Sequence, residues 1–151
     1  MAFCRIDDKE IRLREPVLTP DALIIQDPTL LHQADLFRGL APDGFILINS
    51  TRTFDELGIG EFVRNFNHRH LCTVPATDLA LKHVGRAVPN AALLGGFAAI
   101  SGQLKFESVA KAIGEKFPGK VGAANVAAAQ AAYELTLAAI GGMNSAEATH
   151  A

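Results

Sequence analysis

Phe45-Ile46-Leu47-Ile48-Asn49-Ser50-Thr51 is an unbroken apolar run that ends abruptly in three short polar residues. A strand buried on both faces reads this way, because neither side of its pleat meets water. Two other segments share the pattern: Leu23-Ile24-Ile25-Gln26-Asp27 upstream and Leu71-Cys72-Thr73-Val74-Pro75-Ala76-Thr77 downstream. If the three strands lie side by side and parallel, their polar ends gather on the carboxyl rim of one sheet, where open α/β folds keep their crevice. The expected fold class is α/β.

At 151 residues the chain has the length of one domain with a substantial core. Lys and Arg number 14 against 16 Asp and Glu, a formal charge of -2, so no basic patch points to nucleic acid or an anionic membrane. Hydrophobic residues make up 49% and charged residues 20%. That charged share is slightly below the ordinary value and favours a surface partly covered by partners. The two cysteines, Cys4 and Cys72, form no Cys-x-x-Cys pair and read as small buried hydrophobes in a reducing compartment. No apolar signal core opens the sequence and no window reaches 18 consecutive apolar residues, which predicts a cytoplasmic protein without membrane insertion.

Phe3 to Ile6 and Ile11 to Leu13 flank the polar Asp7-Asp8-Lys9-Glu10, a pattern that predicts an N-terminal β-hairpin with an edge awaiting another strand. Asp27-Pro28 opens a predicted helix over Thr29 to Phe37 or Arg38, ending near Gly39. Leu57, Ile59, Phe62, Val63 and Phe66 suggest one or two short helices over the sheet. Thr77 is placed as the cap of a helix over Asp78 to Val84. Asn90 to Ser101 is almost free of charge, and its small residues suit a helix buried against the sheet or a subunit face. A surface helix follows through Val109, Ile113 and Phe117, with Glu107 and Lys111 spaced to pair. An alanine-rich helix from about Gly122 to Ile140 should stop at Gly141-Gly142. Residues 1–142 then form a single domain and 143–151 a flexible tail. The sum is a Rossmann-like, open, mostly parallel sheet flanked by helices.

The candidate site is the rim itself: Asp27, Asn49, Ser50, Thr51, Thr73 and Thr77. Short polar side chains beside helix amino ends can hold a polar or anionic ligand, but the same residues can simply cap helices and organise turns. No Gly-x-Gly-x-x-Gly, Walker loop or Gly-x-Ser-x-Gly elbow occurs, and His68-Arg69-His70 has no nearby third ligand for a metal. Arg5, Lys9, Arg12 and Arg14 alternate with acids, which suits solvent or an interprotein ion-pair surface. A self-sufficient enzyme is not expected. A free-standing small-molecule binding module using the rim is the alternative reading.

An ordered series along residues 3 to 140 narrows the choice. It comprises Phe3-Cys4-Arg5-Ile6-Asp7-Asp8-Lys9-Glu10-Ile11-Arg12, Gln26-Asp27-Pro28 within Asp21 to Leu31, the strand from Gly44 to Thr51, Val74-Pro75-Ala76-Thr77, Leu93-Leu94-Gly95 within Asn90 to Gly96, and Phe106-Glu107-Ser108 followed by Lys120. This series resembles the gamma subunit or domain of the 2-oxoacid:acceptor oxidoreductases, of the pyruvate/ketoisovalerate ferredoxin oxidoreductase type. Members usually carry a glycine-rich loop ahead of the equivalent of Phe3, which has no counterpart here. The resemblance implies a noncatalytic gamma subunit of a complex that oxidatively decarboxylates a 2-oxoacid, usually to an acyl-CoA. It further implies thiamine diphosphate, Mg2+ and [4Fe-4S] clusters in partner alpha and beta subunits, with a delta or electron-transfer subunit in some complexes, and coenzyme A at the complex. No catalytic, cofactor-binding or metal residue is implied in this chain. Asn49, Thr51, Thr77 and Asn90 are the residues expected at a subunit interface or the approach to the active site.

Overall fold

The computed structural model describes the backbone of residues 1–149 and the side chains of residues 1–142. Strands β1 (Ala22–Ile25), β2 (Phe45–Asn49) and β3 (Leu71–Val74) form one sheet in the order β1-β2-β3. Both pairings are parallel, with Ile24 opposite Leu47 and Leu47 opposite Cys72. Helices α1 (Gly60–Val63), α2 (Ala76–Val84), α3 (Asn90–Ser101), α4 (Phe106–Lys116) and α5 (Gly119–Thr149) complete the order.

The central strand shows why this arrangement holds. Ile46, Leu47 and Ile48 are each at most 1% exposed, although successive side chains point to opposite faces. On one face Ile46 and Ile48 join Ile25 and Leu71 beneath Leu31, Leu57, Ile59 and Val63, all from the two crossovers. On the other, Leu47, Cys72 and Val74 meet Ala76 of α2, Ala92, Leu93 and Ile100 of α3, and Ala128 and Ala132 of α5. A third cluster packs Val109 and Ile113 of α4 over Ala91 and Ala98 of α3 and Ala129 of α5. Helix α3 therefore has sheet on one side and helices on the other, which accounts for its lack of charge.

Its two glycines set how deeply it sits. A Cβ on Gly95 would run into the backbone carbonyl of Ala129, so the α3 and α5 backbones are in direct contact there. A Cβ on Gly96 would lie 3.2 Å from Leu47 Cδ2 and 3.3 Å from Thr136 Oγ1. The helix propensity surrendered at the pair, about 1 kcal/mol per glycine, is offset by this close packing.

Several expectations need correction. Residues 1–21 form no strand ladder, so the N-terminal β-hairpin is absent as such. The segment does double back, with Arg5 donating to the Glu15 carbonyl at 2.6 Å, but Phe3, Ile6, Ile11 and Leu13 remain 44–63% exposed. Two arms with nothing beneath them gain too little burial to hold a ladder. The helix expected from Thr29 is a 3-10 turn, Pro28–His32, followed by further i to i+3 bonds such as Leu36 N to Gln33 O and Leu40 N to Phe37 O. So short a helix is marginal by itself, and tighter turns suffice to bring Leu31, Leu36 and Phe37 onto the sheet. Helix α2 begins at Ala76, which puts Thr77 inside its first turn and not at its cap. Lys111 pairs with Glu115 at 4.0 Å, not with Glu107, and on so exposed a face the pair contributes little. Helix α5 continues past Gly141-Gly142 to Thr149, whereas side chains of the expected tail, 143–151, fall outside the described residues.

Gly95→Ala should destabilise the chain by about 1–3 kcal/mol, the usual range for overpacking a tight contact, and lower the melting temperature by several degrees. Gly114→Ala, where an added Cβ meets nothing within 4 Å, should instead be neutral or stabilising by up to about 1 kcal/mol. Thermal melts of the two variants against the parent check both outcomes.

Candidate functional site at the carboxyl rim

Asn49 ends the central strand and ties the rim together. Its Nδ2 donates to the Gln26 carbonyl at 3.0 Å and to Thr77 Oγ1 at 2.9 Å, while its Oδ1 accepts from the Thr77 amide at 3.2 Å. One side chain thus joins the end of β1, the end of β2 and the first turn of α2. Helix α2 needs this help. Its N-cap is Pro75, which provides no side-chain acceptor, so the capping oxygen comes from the neighbouring strand.

The next residues are pinned as well. Ser50 N donates to the Val74 carbonyl at 3.0 Å, and Arg52 N donates to Ser50 Oγ at 3.0 Å. A reciprocal cap follows immediately: Thr53 N donates to Glu56 Oε2 at 2.7 Å and Glu56 N donates to Thr53 Oγ1 at 3.3 Å. On the β1 side, Asp27 Oδ1 accepts from Thr29 N at 2.9 Å and Thr29 Oγ1 at 2.7 Å, which bears out its capping role. Hydrogen bonds from Thr29 lower the Asp27 pKa, and those from Thr53 lower that of Glu56, since both favour the ionised carboxylate.

Of the residues expected to act together, the structure joins Asn49 to Thr77 directly and keeps Thr51 exposed on the adjoining loop. Asn90 does not join them. It is the exposed first residue of α3, separated from Thr77 by the rest of α2 and its connection. The reading of the sequence missed the Thr53-Glu56 cap, although Thr-x-x-Glu is a readable signature. It also missed Gln26, whose backbone carbonyl carries the contact; no pattern in side chains reveals that.

Cys72 is buried, and burial pushes its thiol pKa up, with the Thr136 hydroxyl acting in the opposite direction. Thr136 is fully buried and donates to the Ala132 carbonyl at 2.8 Å. Cys4 is exposed, so only one of the two thiols is packed as expected. His70 Nδ1 donates to the Asp43 carbonyl at 2.7 Å and its ring lies 4.2 Å from that of Phe45, fastening the amino ends of β2 and β3. Among the described residues, no group of three or more His, Cys, Asp or Glu could hold a metal ion. Two cysteines in such different settings do not fit a four-cysteine iron-sulfur cluster. Among the described residues no helix is long and apolar enough to cross a membrane.

A parallel sheet whose rim is braced by capping contacts is shared by many proteins, and the comparisons with known proteins decide between them. The family described as pyruvate ferredoxin/flavodoxin oxidoreductase matches residues 1–135. Pyruvate synthase subunit PorC of Methanocaldococcus jannaschii is 41% identical over 133 residues, covering 88% of this chain and 69% of the relative. The pyruvate/ketoisovalerate oxidoreductases common subunit gamma of Pyrococcus abyssi is 37% identical over 135 residues, covering 89% and 71%. The crystal structure of the pyruvate oxidoreductase subunit PORC from Thermotoga maritima superposes with a TM-score of 0.66 at 32% identity. That match covers 78% of this chain but only 64% of the solved one, less than two thirds of its length. The chain belongs to the pyruvate ferredoxin/flavodoxin oxidoreductase family. Within it the chain is of the gamma type, as the ordered motifs implied.

Asn49→Ala should cost about 2 kcal/mol, because it removes a cap and leaves the half-buried Thr77 unsatisfied, and a chemical denaturation curve will show it. Ellman's reagent at pH 8 should titrate one thiol, Cys4, in the native chain and both in denaturant. Two fast thiols under native conditions would mean that Cys72 is not packed as described.

Proposed function

We propose that this chain works as a noncatalytic gamma subunit in a complex that oxidatively decarboxylates a 2-oxoacid, usually transferring the acyl group to coenzyme A. The observation that carries this reading is the family match over residues 1–135, together with relatives that are themselves named as subunits. In this reading alpha and beta subunits hold thiamine diphosphate with Mg2+ and the [4Fe-4S] clusters, a delta or electron-transfer subunit joins in some assemblies, and the complex is cytoplasmic. Thiamine diphosphate supplies carbanion chemistry and the clusters carry electrons away. The two unlike cysteines of this chain support placing the clusters elsewhere.

The residues of this chain would contribute position, not bond-making. Asn49, Thr51 and Thr77 form the rim offered to the partners or to the approach of the active site. Asn90 serves a separate contact at the start of α3. The nearly uncharged α3 is used up inside the domain, so the subunit contact falls to other surfaces.

Affinity purification at endogenous level, followed by mass measurement and cofactor analysis, tests the reading. Recovery with larger chains bearing thiamine diphosphate and iron is the expected result. A colourless monomer that retains a small ligand would instead establish the free-standing binding module.

A further inference from the structure

The backbone of residues 1–19 makes no backbone-to-backbone hydrogen bond among the described residues. Of the amides from Asp8 to Arg14 only that of Lys9 is engaged, by Asp7 Oδ1 at 3.1 Å. The segment still has a defined course: Arg5 donates to the Glu15 carbonyl, and Phe3, Ile11 and Leu13 line one open hollow of about 460 Å3 shared by the two arms. Side chains beyond the bend at Asp8 and Lys9 alternate by kind. Asp8, Glu10, Arg12 and Arg14 fall on one face of an extended strand, Lys9, Ile11 and Leu13 on the other. Glu10 and Arg12 already share a side, 2.9 Å apart, as residues two apart do in extended backbone.

We propose that residues 8–14 pair antiparallel with the same residues of a second copy of this chain, Ile11 facing Ile11 across the two-fold axis. Charge complementarity selects this occupant. Arg5, Lys9, Arg12 and Arg14 balance Asp7, Asp8, Glu10 and Glu15, so the segment favours no partner of a single sign. Laid on its own copy in this register, Glu10 meets Arg12 and Asp8, at the bend, meets Arg14, and symmetry makes each pair occur twice. Sliding by two residues either way sets Glu10 on Glu10 or Arg12 on Arg12, and a parallel in-register pairing sets every charge on itself. Charges that merely guarded an open edge would repel a second copy, whereas these match it. The engaged amide fits as well: hydrogen bonds exchanged between Glu10 and Arg12 leave Lys9 and Ile11 in the intervening pairs, which need none. Two arms are too few to hold a ladder, but two copies bring four, with Phe3, Ile11 and Leu13 of each as their apolar cover. This pairing stands independently of the gamma-subunit reading.

Sedimentation equilibrium of the full chain tests the pairing, at concentrations up to about 1 mM because so small an interface belongs to the weak class. The parent should pass reversibly from monomer to dimer, and less readily as salt is raised. Arg12→Glu with Arg14→Glu makes the charged face wholly acidic, and Asp8→Lys with Glu10→Lys makes it wholly basic. Each double variant alone should self-associate at least about tenfold less tightly, the scale of four exposed pairs turned repulsive. Mixed one to one, the two should pair with each other at close to parental affinity. All four side chains are exposed, so the melting temperature of the dilute, monomeric chain should not move. A parent that stays monomeric throughout, a dimer that neither variant weakens, or weakened variants that fail to restore each other would each overturn the pairing. None of these outcomes touches the gamma-subunit reading, which recovery of the partner chains decides.

Discussion

Burial of β2 on both faces is the constraint from which the rest follows. Ile46 and Ile48 must be covered from one side and Leu47 from the other, so no two-layer arrangement satisfies the strand. The crossovers supply one cover in the form of turns and a single short helix, and α2, α3 and α5 supply the other. Covering Leu47 closely places α3 against the sheet, with α5 packed beside it on the same face through Ala128 and Ala132. Gly95 and Gly96 make that possible by removing the two Cβ atoms that would hold the layers apart.

The same strand carries this order into the rim. Once β2 is fixed by packing, Asn49 emerges at a set height between Gln26 and Thr77, and its carboxamide has the right number of donors and acceptors to serve both. Hydrophobic burial decides where the strand lies, and hydrogen bonding decides what the chain does as it leaves the strand. The polar groups nearest the core are thereby consumed within the chain. Rigidity there comes from the cap that Asn49 gives α2 and from the second cap between Thr53 and Glu56. A scaffold of this kind suits a chain whose family relatives are subunits of a larger oxidoreductase.

How much of this could be read from the residues varied with how local each cause was. Continuous apolar runs marked the three strands to within a residue or two, and the charge-free stretch marked α3 from Asn90 to Ser101. Gly85 and Gly102, both at positive φ, close α2 and α3, and each sits where a following glycine ends a helix. The segment after Asp27 misled because Leu30, Leu31, Ala34 and Phe37 fit a 3.6-residue period, yet three-residue turns present the same side chains over so short a distance. The hairpin at residues 3–13 misled because alternation describes a strand's faces and not whether a surface exists to cover them. At the site, Asp27 as a cap was legible from its neighbours Pro28 and Thr29, whereas the start of α2 was not, since its capping oxygen comes from 28 residues earlier in the chain.

The sequence by itself determined the fold class, the three strand segments and the family, because each depends on local periodicity or on ordered motifs along the chain. Tertiary structure alone decided which polar residues are spent and which remain free. Whether Asn49 meets solvent or closes on Gln26 and Thr77 depends on how far apart the strand ends lie, a distance set by packing between residues remote in sequence.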